Sequence, residues 1–302
     1  MQPLIFPIFL DYKCNYACGH CSVGSSPRTK FPIDEELVFS YITQIAEFPT
    51  AAGVVFTGGE PTLRKDLLIR AIAFAQERGL MTRVVTNAWW ARTRTKAETF
   101  VEDLRQAGLQ ELNTSWDGFH AEFGSLDNVA NAIAAGLDAG MRVSVGIVEV
   151  EEGGSHKEAL VGAVGERLGK TKEELRLLPL YVLVDFPAKV GTAESLDLSG
   201  VRAGERIYTG CTEVGTTLSL HPDGTVRGCC GTRTSTRRTS CSVTCGPRRS
   251  GTSSEARRAT SSTGGCGPRA RPEFSERWAS TSATPPTSVR LVRRCSASIV
   301  TS

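Results

Sequence analysis

The stretch Asp11-Tyr-Lys-Cys14-Asn-Tyr-Ala-Cys18-Gly-His-Cys21 places three thiols within eight residues. Three thiolates can fill three corners of a four-iron four-sulfur (4Fe-4S) cluster and leave the fourth iron without a protein ligand. A fully ligated cluster can only transfer electrons or support structure, whereas an open iron can also bind a substrate. The cysteine spacing therefore predicts a reaction centre in this loop.

A second motif, Gly58-Gly59-Glu60-Pro61, lies farther along the chain. Two residues without side chains let backbone carbonyls approach a cationic amine, which the Glu60 carboxylate can also attract. Together, the C-x3-C-x2-C spacing and this motif resemble those of the radical S-adenosylmethionine (radical SAM) superfamily. His20 is the one departure, because the family most often has an aromatic residue before the last cysteine.

The resemblance implies two cofactors and an activity. In the family the three cysteines hold a 4Fe-4S cluster whose unique iron chelates SAM, and reductive cleavage of SAM releases a 5′-deoxyadenosyl radical that abstracts hydrogen from the substrate. By this resemblance Cys14, Cys18 and Cys21 are the cluster ligands. The implied SAM contacts are Gly58, Gly59, Glu60, Asn87, Ser115, Asp117 and Gly146.

Four of these contacts are implied by segments in predicted strands or directly after them. Ser115 and Asp117 are two residues apart, hence on one side of an extended strand, where the family contacts the ribose of SAM; capping of the next turn is the alternative for Asp117. Asn87 belongs to a segment resembling the family's Thr-Asn-Gly, with Ala88 in place of glycine. Gly146 resembles the strand behind the adenine, although a strand glycine can also mark packing alone.

A structural zinc site is the alternative for the cysteine loop, since Cys3His ligand sets are common and His20 lies between two of the cysteines. Zinc knuckles usually pair two separated ligand couples, and no second couple lies nearby. A disulfide framework is disfavoured, because the N-terminus has no basic stretch followed by an apolar segment and a cleavage site. Reduced thiols in a cytoplasmic setting favour metal binding.

Short β-branched runs alternate with longer amphipathic runs up to about residue 181, which is typical of βα units around a parallel sheet. The predicted strands are Leu4–Leu10, Gly53–Thr57, Met81–Thr86, Glu111–Ser115, Arg142–Val148 and Leu175–Tyr181. The predicted helices are Asp34–Glu47, Leu63–Arg78, Lys96–Ala107, Leu126–Ala139 and His156–Leu168, the last four ending at glycines. The fold class is therefore α/β, a partial (β/α)6 TIM-like barrel over residues 1–185, with its active site at the carboxyl ends of the strands.

A small cysteine-containing extension is predicted at residues 186–231. Cys211 and a G-x4-C unit ending at Cys229 resemble the opening of the SPASM or twitch extension of peptide-modifying radical SAM enzymes. The resemblance implies an auxiliary iron–sulfur cluster with these two ligands, and buried free thiols are the alternative. The later cysteines do not follow the family spacing, so the extension is predicted to be incomplete. Residues 217–221 and 225–227 predict a hairpin about Pro222-Asp223-Gly224.

The composition changes abruptly after residue 230. Residues 231–302 carry 13 Arg and 3 Glu with no Lys or Asp, and Leu291 is their only leucine, whereas the whole chain has a formal net charge of +3. A segment so poor in large aliphatic side chains cannot offset its ordering entropy, so residues 232–302 are predicted to be a disordered tail. A frame-shifted translation would explain this composition; a basic arm that binds nucleic acid is the alternative.

The sequence therefore predicts a cytoplasmic radical SAM enzyme that acts on a peptide or a small biosynthetic molecule. By the resemblance it receives electrons from a donor such as flavodoxin or ferredoxin. No apolar run reaches the length of a membrane span, so a membrane is not an expected partner. Nucleic acid is not an expected partner either, because no aromatic or Lys pattern accompanies the arginines of the tail. No side chain is singled out as a catalytic acid, base or nucleophile. The competing hypothesis is a non-catalytic iron–sulfur or zinc protein with a nucleic-acid-binding tail.

Overall fold

A mostly parallel sheet with helices packed against it forms the framework of the chain. The computed structural model describes residues 3–150, 155–197 and 216–228, together with the backbone of residues 243 and 244. Within these residues the strands are β1 (Ile5–Phe9), β2 (Gly53–Thr57), β3 (Met81–Thr86), β4 (Glu111–Ser115), β5 (Arg142–Val148), β6 (Leu180–Asp185), β7 (Ser219–Leu220), β8 (Thr225–Arg227) and β9 (Val243–Thr244). They form one sheet in the order β6-β5-β4-β3-β2-β1-β7-β8-β9.

Strands β1 to β6 are parallel, and each lies beside the next one along the chain. The connecting α-helices are α1 (Glu35–Ala46), α2 (Lys65–Gln76), α3 (Arg94–Gln106), α4 (Gly118–Ala121), α5 (Leu126–Asp138), α6 (His156–Leu168) and α7 (Lys172–Leu175). Short 3-10 helices span Pro61–Arg64 and Gly191–Ser195. The predicted α/β class with six parallel strands is confirmed, and β2 to β5 begin and end where the sequence predicted.

The core lies between the sheet and its helices. In β1 and β2 four of the five residues are buried, the near-continuous pattern of parallel strands that are covered on both faces. Ile8, Phe56 and Leu112 are completely buried. Helix α5 packs so closely that a Cβ at Gly136 would lie 3.0 Å from Val143 Cγ2. This tight packing gives the loops at the carboxyl ends of the strands a rigid base.

The predicted helix ends are confirmed, but the sixth strand is not where the sequence predicted. Gly79, Gly108, Gly140 and Gly169 follow α2, α3, α5 and α6 with φ between 60° and 96°. The predicted strand Leu175–Tyr181 is wrong, because β6 spans Leu180–Asp185. Leu175 instead ends α7, which a capping box between Thr171 and Glu174 initiates. The Thr-x-x-Glu spacing was the signal for this helix.

The predicted hairpin is confirmed, and it extends the main sheet. Strands β7 and β8 pair antiparallel, and β7 pairs with β1 through Ile8 and Leu220. Its anchor is His221, which is fully buried and stacks on Phe9 at 4.4 Å between ring centroids. The Nδ1 and Nε2 atoms of His221 lie 2.6 Å from the Tyr12 hydroxyl and 2.8 Å from the Ser219 hydroxyl.

Several predictions for the C-terminal part lie outside the described residues. These are the cluster ligands Cys211 and Cys229 and almost all of the tail at residues 232–302. The exception is β9, whose backbone pairs antiparallel with β8, so the tail prediction does not hold at those two residues. None of the described helices has the length and apolar character needed to cross a membrane.

Replacing His221 with Gln should make the stability of the fold less sensitive to acid. Burial, with a smaller contribution from Arg227, lowers the pKa of His221 from its usual 6.5 to about 4. The unfolded chain therefore takes up a proton at this ring first, so the wild type loses stability as the pH falls from about 6.5 towards 4.

Between about pH 7 and pH 5 the loss attributable to His221 is about 2 kcal/mol. Urea unfolding at the two pH values should show His221→Gln losing about 2 kcal/mol less than the wild type over this range, even if the variant is less stable at neutral pH. An equal loss in both proteins would contradict the assignment.

Candidate active site

The two sequence motifs meet at the carboxyl ends of the first strands. The cysteine loop follows β1, Gly58-Gly59-Glu60-Pro61 follows β2, Asn87 follows β3, and Ser115 ends β4. Together they line one cavity of about 220 Å³, whose walls include Cys14, Cys18, Cys21, Gly58, Gly59, Glu60, Asn87 and Ser115. Of the remaining predicted contacts, Gly146 pairs with Ser115 in the sheet and Asp117 is fully buried close by.

The glycines of the second motif pack directly against the backbone of the cysteine loop. The Gly59 amide donates to Asp11 O at 2.8 Å, and the Glu60 amide donates to Lys13 O at 2.9 Å. A Cβ at Gly58 would lie 2.3 Å from Asp11 O, and one at Gly59 would lie 2.1 Å from Lys13 O. Both distances are too short for any side chain. In this structure the two glycines therefore bring the two motifs together.

The carboxylate of Glu60 connects this contact to the third strand. Its Oε1 accepts hydrogen bonds from the amide and hydroxyl of Thr62, at 3.1 and 2.6 Å, and from the Thr86 hydroxyl at 2.8 Å. Its Oε2 accepts from the Asn87 amide at 2.7 Å. Burial raises the pKa of Glu60, and these four donors counteract that effect. Glu60 therefore holds the end of β3 against the second motif.

Asn87 carries the connection on to the cysteine loop. Its Nδ2 donates to Asn15 Oδ1 at 2.9 Å and lies 3.6 Å from Cys14 Sγ. The next residue, Ala88, has a φ of 58°, in the left-handed region that favours glycine. Glycine, which the family resemblance led us to expect at position 88, is thus the residue that this backbone conformation favours.

The thiols are held by backbone amides and are mostly buried. The amides of Tyr16 and Ser25 lie 3.3 Å from the sulfurs of Cys14 and Cys21, respectively. Burial raises the pKa of Cys14 and of Cys18 to about 12, with further contributions from neighbouring thiols and from Glu60 or Asp117. Thiolates at these positions therefore require compensating positive charge, which bound iron would supply.

The group of side chains at this site that could hold a single ion includes only one of the three cysteines. In the part of the chain that the structure describes, the one group of three metal-ligating side chains with ligand atoms all within 4.8 Å of one another is Cys18, His20 and His120. The three cysteines do not form such a group. Tetrahedral zinc with Zn–S bonds of about 2.3 Å would need its sulfurs about 3.8 Å apart. Among the described residues, the group with close ligand atoms is therefore not the Cys3His set that the zinc alternative requires.

Asp117 caps the turn that follows β4, as the alternative interpretation of this residue held. Its Oδ1 accepts from the amide of His120 at 3.0 Å and lies 2.9 Å from His120 Nδ1. Its Oδ2 accepts from the Val148 amide at 3.3 Å. Burial acts to raise the pKa of Asp117, but hydrogen bonding and charge from His120, with a contribution from His20, lower it overall. The predicted contact of Asp117 with a ribose stays a prediction.

No sequence motif placed His120 at the site, yet it lines the cavity. Its ring lies 5.0 Å from the ring of His20, which also stacks on Phe119 at 4.5 Å. His120 lies three residues after Asp117, the spacing at which a capped turn returns a side chain to its cap. This three-residue spacing is the sequence signal that could have placed His120 beside Asp117. Stacking on Phe119 also shows that the His20 imidazole takes an aromatic residue's place.

Residues 10–149 match the model of a family described as the Radical SAM superfamily. They form a radical SAM domain. The family uses a 4Fe-4S cluster and SAM, and the matched range of this chain contains every predicted site residue from Cys14 to Gly146.

Parts of the chain are similar in sequence to known proteins. It is 26% identical over 126 residues to Bacillus subtilis YydG, whose name refers to peptide biosynthesis, and this match covers 42% of the chain and 40% of YydG. It is 31% identical over 142 residues to the GTP 3′,8-cyclase of Marinobacter nauticus, with 43% and 40% covered. The chain thus spans about 40% of the length of these two relatives.

Solved structures with a similar arrangement include Streptococcus suis SuiB bound to S-adenosylmethionine. The TM-score is 0.42 at 17% identity, and the match covers 75% of this chain and 60% of SuiB. Methylornithine synthase (PylB) gives a TM-score of 0.45 at 14% identity, with 65% and 57% covered.

Replacing Gly59 with Ala should separate the two motifs of the radical SAM domain. The added Cβ would lie 2.1 Å from Lys13 O, a backbone atom that can move only with the cysteine loop. Overpacking of this kind costs about 1–3 kcal/mol. We expect a lower unfolding temperature and faster alkylation of the buried thiols Cys14 and Cys18, measured by mass spectrometry.

The matched control is Gly162→Ala in α6, where a Cβ would meet no atom within 4 Å. It should alkylate at the wild-type rate. Wild-type protection of both thiols in Gly59→Ala would show that the glycine contact does not hold the loop in place.

Proposed function

We propose that this chain is a radical SAM enzyme in which Cys14, Cys18 and Cys21 hold the 4Fe-4S cluster. When bound, the cluster and SAM would supply reductive cleavage of the sulfonium and a 5′-deoxyadenosyl radical for hydrogen abstraction. The observation that carries the proposal is the convergence of three thiols, the Gly58-Gly59-Glu60 backbone and Asn87 on one cavity. The group of close metal ligands among the described residues contains only one of the three cysteines, which supports a cluster over the competing Cys3His site.

The chain's own groups have distinct parts in this proposal. Gly58 and Gly59 let the second motif reach the cysteine loop, where their carbonyls would accept from the amino group of SAM. Glu60 is a positioning residue, because its carboxylate is occupied by Thr62, Thr86 and the Asn87 amide. Its negative charge would still favour a cation in the adjoining cavity.

Ser115 and Gly146 would form the nucleoside end of the SAM site. They pair across β4 and β5, and Ser115 lines the cavity. A Cβ at Gly146 would meet no atom within 4 Å, so this part of the strand borders open space. A flat adenine could therefore lie against it without displacing protein atoms. Asp117 would orient the loop between these groups through its cap and would contact the ribose hydroxyls.

The substrate proposed for the enzyme is a peptide or a small biosynthetic molecule. The similarity to YydG, whose name refers to peptide biosynthesis, supports the peptide. Fold does not determine substrate, so the similarity to YydG is what supports this choice. An electron donor such as flavodoxin or ferredoxin would reduce the cluster, and the cytoplasm is the proposed location. An auxiliary cluster held by Cys211 and Cys229 stays a prediction.

Anaerobic reconstitution with iron and sulfide should give a reducible cluster that turns SAM into 5′-deoxyadenosine in the presence of dithionite. Replacing Cys18 with Ala should abolish both the cluster absorption and the product, because three thiolates are the minimum that holds such a cluster with one iron open. Iron content, visible absorption and product chromatography are the measurements.

Cys295→Ala is the matched control, since Cys295 lies in the basic tail, far from the motif in sequence. It should retain both properties. Zinc bound to the wild type after reconstitution, without cleavage of SAM, would refute the proposed function. Cleavage retained by Cys18→Ala would refute the ligand assignment alone.

The adenine position can be tested separately with Gly146→Ala. Because the new methyl group would meet no protein atom within 4 Å, the variant should fold and assemble its cluster normally. If adenine packs there, the methyl would clash with it, and overpacking of about 1–3 kcal/mol would weaken SAM binding by roughly 5- to 150-fold. Isothermal titration calorimetry with SAM is the measurement, and unchanged affinity would place the adenine elsewhere.

A further inference from the structure

A cluster of three possible metal ligands overlaps the cysteine loop. Cys18 follows β1, and His20 lies two residues later, whereas His120 belongs to α4 beyond β4. Each offers one ligand atom, and these atoms all lie within 4.8 Å of one another. The three side chains come from two separate loops, so the fold brings them together. No other group of this kind occurs among the described residues.

One buried carboxylate hydrogen-bonds one of the imidazoles and lies beside the other. Asp117 Oδ1 lies 2.9 Å from His120 Nδ1, and Asp117 Oδ2 lies 3.6 Å from His20 Nε2. Metal-binding histidines commonly direct their second ring nitrogen at a carboxylate, which determines the tautomer and the ring orientation. Here Asp117, itself completely buried, does this for His120, and it lies 3.6 Å from one nitrogen of His20. The hydrogen bond at His120 Nδ1 leaves His120 Nε2 for a ligand.

One ring nitrogen of His20 is independent evidence for a ligand at this cluster. His20 Nδ1 is buried and has no hydrogen-bond partner. A buried polar atom without a partner is energetically unfavourable, and a missing ligand, ion or water is one explanation for it. A metal ion coordinated by this nitrogen would remove that cost.

We propose that Cys18, His20 and His120 form a site for one divalent transition-metal ion of the zinc type, used when no cluster is present. One thiolate and two imidazoles suit Zn²⁺ or Co²⁺, and three protein ligands leave the fourth tetrahedral position open. Since Cys18 is also a proposed cluster ligand, the ion and the cluster exclude each other. This exclusion rests on the proposed function, whereas the single-ion site does not.

Cobalt titration of the oxygen-free, cluster-free full chain tests the ion site. Co²⁺ in a tetrahedral site with a thiolate gives intense visible and near-ultraviolet bands. The chain has 10 cysteines, so the informative signal is the part that Cys18→Ala removes. This Cys18-dependent cobalt absorption should survive in the double variant Cys14→Ala, Cys21→Ala, which leaves the proposed ligands intact.

The same signal should be lost in His20→Phe, which places an aromatic ring where His20 now stacks on Phe119. It should also weaken by more than about 100-fold in His120→Ala, because even outer-shell changes cost metal sites about 10- to 100-fold in affinity. Circular dichroism checks that each variant is folded. Wild-type cobalt affinity in His20→Phe, or loss of the signal in the double variant, would overturn the site in favour of a three-cysteine site.

Competition is tested by adding one equivalent of Zn²⁺ before iron and sulfide. The wild type should then incorporate less iron, and His20→Phe should incorporate as much as without zinc. Equal inhibition of iron incorporation by zinc in the wild type and in His20→Phe would contradict the proposal that the ion and the cluster exclude each other. If neither protein ever assembled a cluster, the proposed function would fail, while the cobalt result would still decide the ion site.

Discussion

The contact between two backbones, that of the cysteine loop and that of the Gly58-Gly59 turn, is the constraint on which the site depends. Two amide hydrogen bonds join the loops at 2.8 and 2.9 Å, and no side chain fits between them. This contact buries Glu60, whose carboxylate must then find donors within the protein. It finds them at Thr62, Thr86 and the Asn87 amide, and Asn87 in turn approaches Cys14. One steric requirement thus links three successive strand ends.

Buried negative charge gives this arrangement a chemical preference. Glu60 and Asp117 are almost completely inaccessible, and both act to raise the pKa of nearby thiols. With three thiols in the same loop, the region opposes further negative charge and favours bound cations. A metal cluster and the sulfonium and amine of SAM are cationic groups of the required kind. The electrostatics and the backbone geometry therefore favour the same occupants, although they arise from different residues.

The parts of the structure that the sequence predicted are those set by local patterns. Hydrophobic period and glycine ends located β1 to β5 and their helices, whereas the short capping box at Thr171 was overlooked and β6 was misplaced. At the site, residue spacing could not reveal that the glycines accommodate Lys13 and Asp11 as well as any ligand. It also could not reveal His120, because its proximity to His20 depends on how two loops from different strands pack.

The sheet topology also determines which part of the chain carries the groups proposed for the cofactors. The cysteine loop leaves β1, which is paired on one side with β2 and on the other with β7, so it starts from an interior strand of the sheet. The groups proposed for SAM and for the cluster of the cysteine loop all lie in β1 to β5 or in the loops that follow these strands, within the matched residues 10–149. Beyond them β6 leaves Tyr181 and Leu183 more than half exposed, unlike a strand covered on both faces. Chemistry common to a family can therefore reside in the first strands, while substrate choice depends on residues that this framework does not constrain.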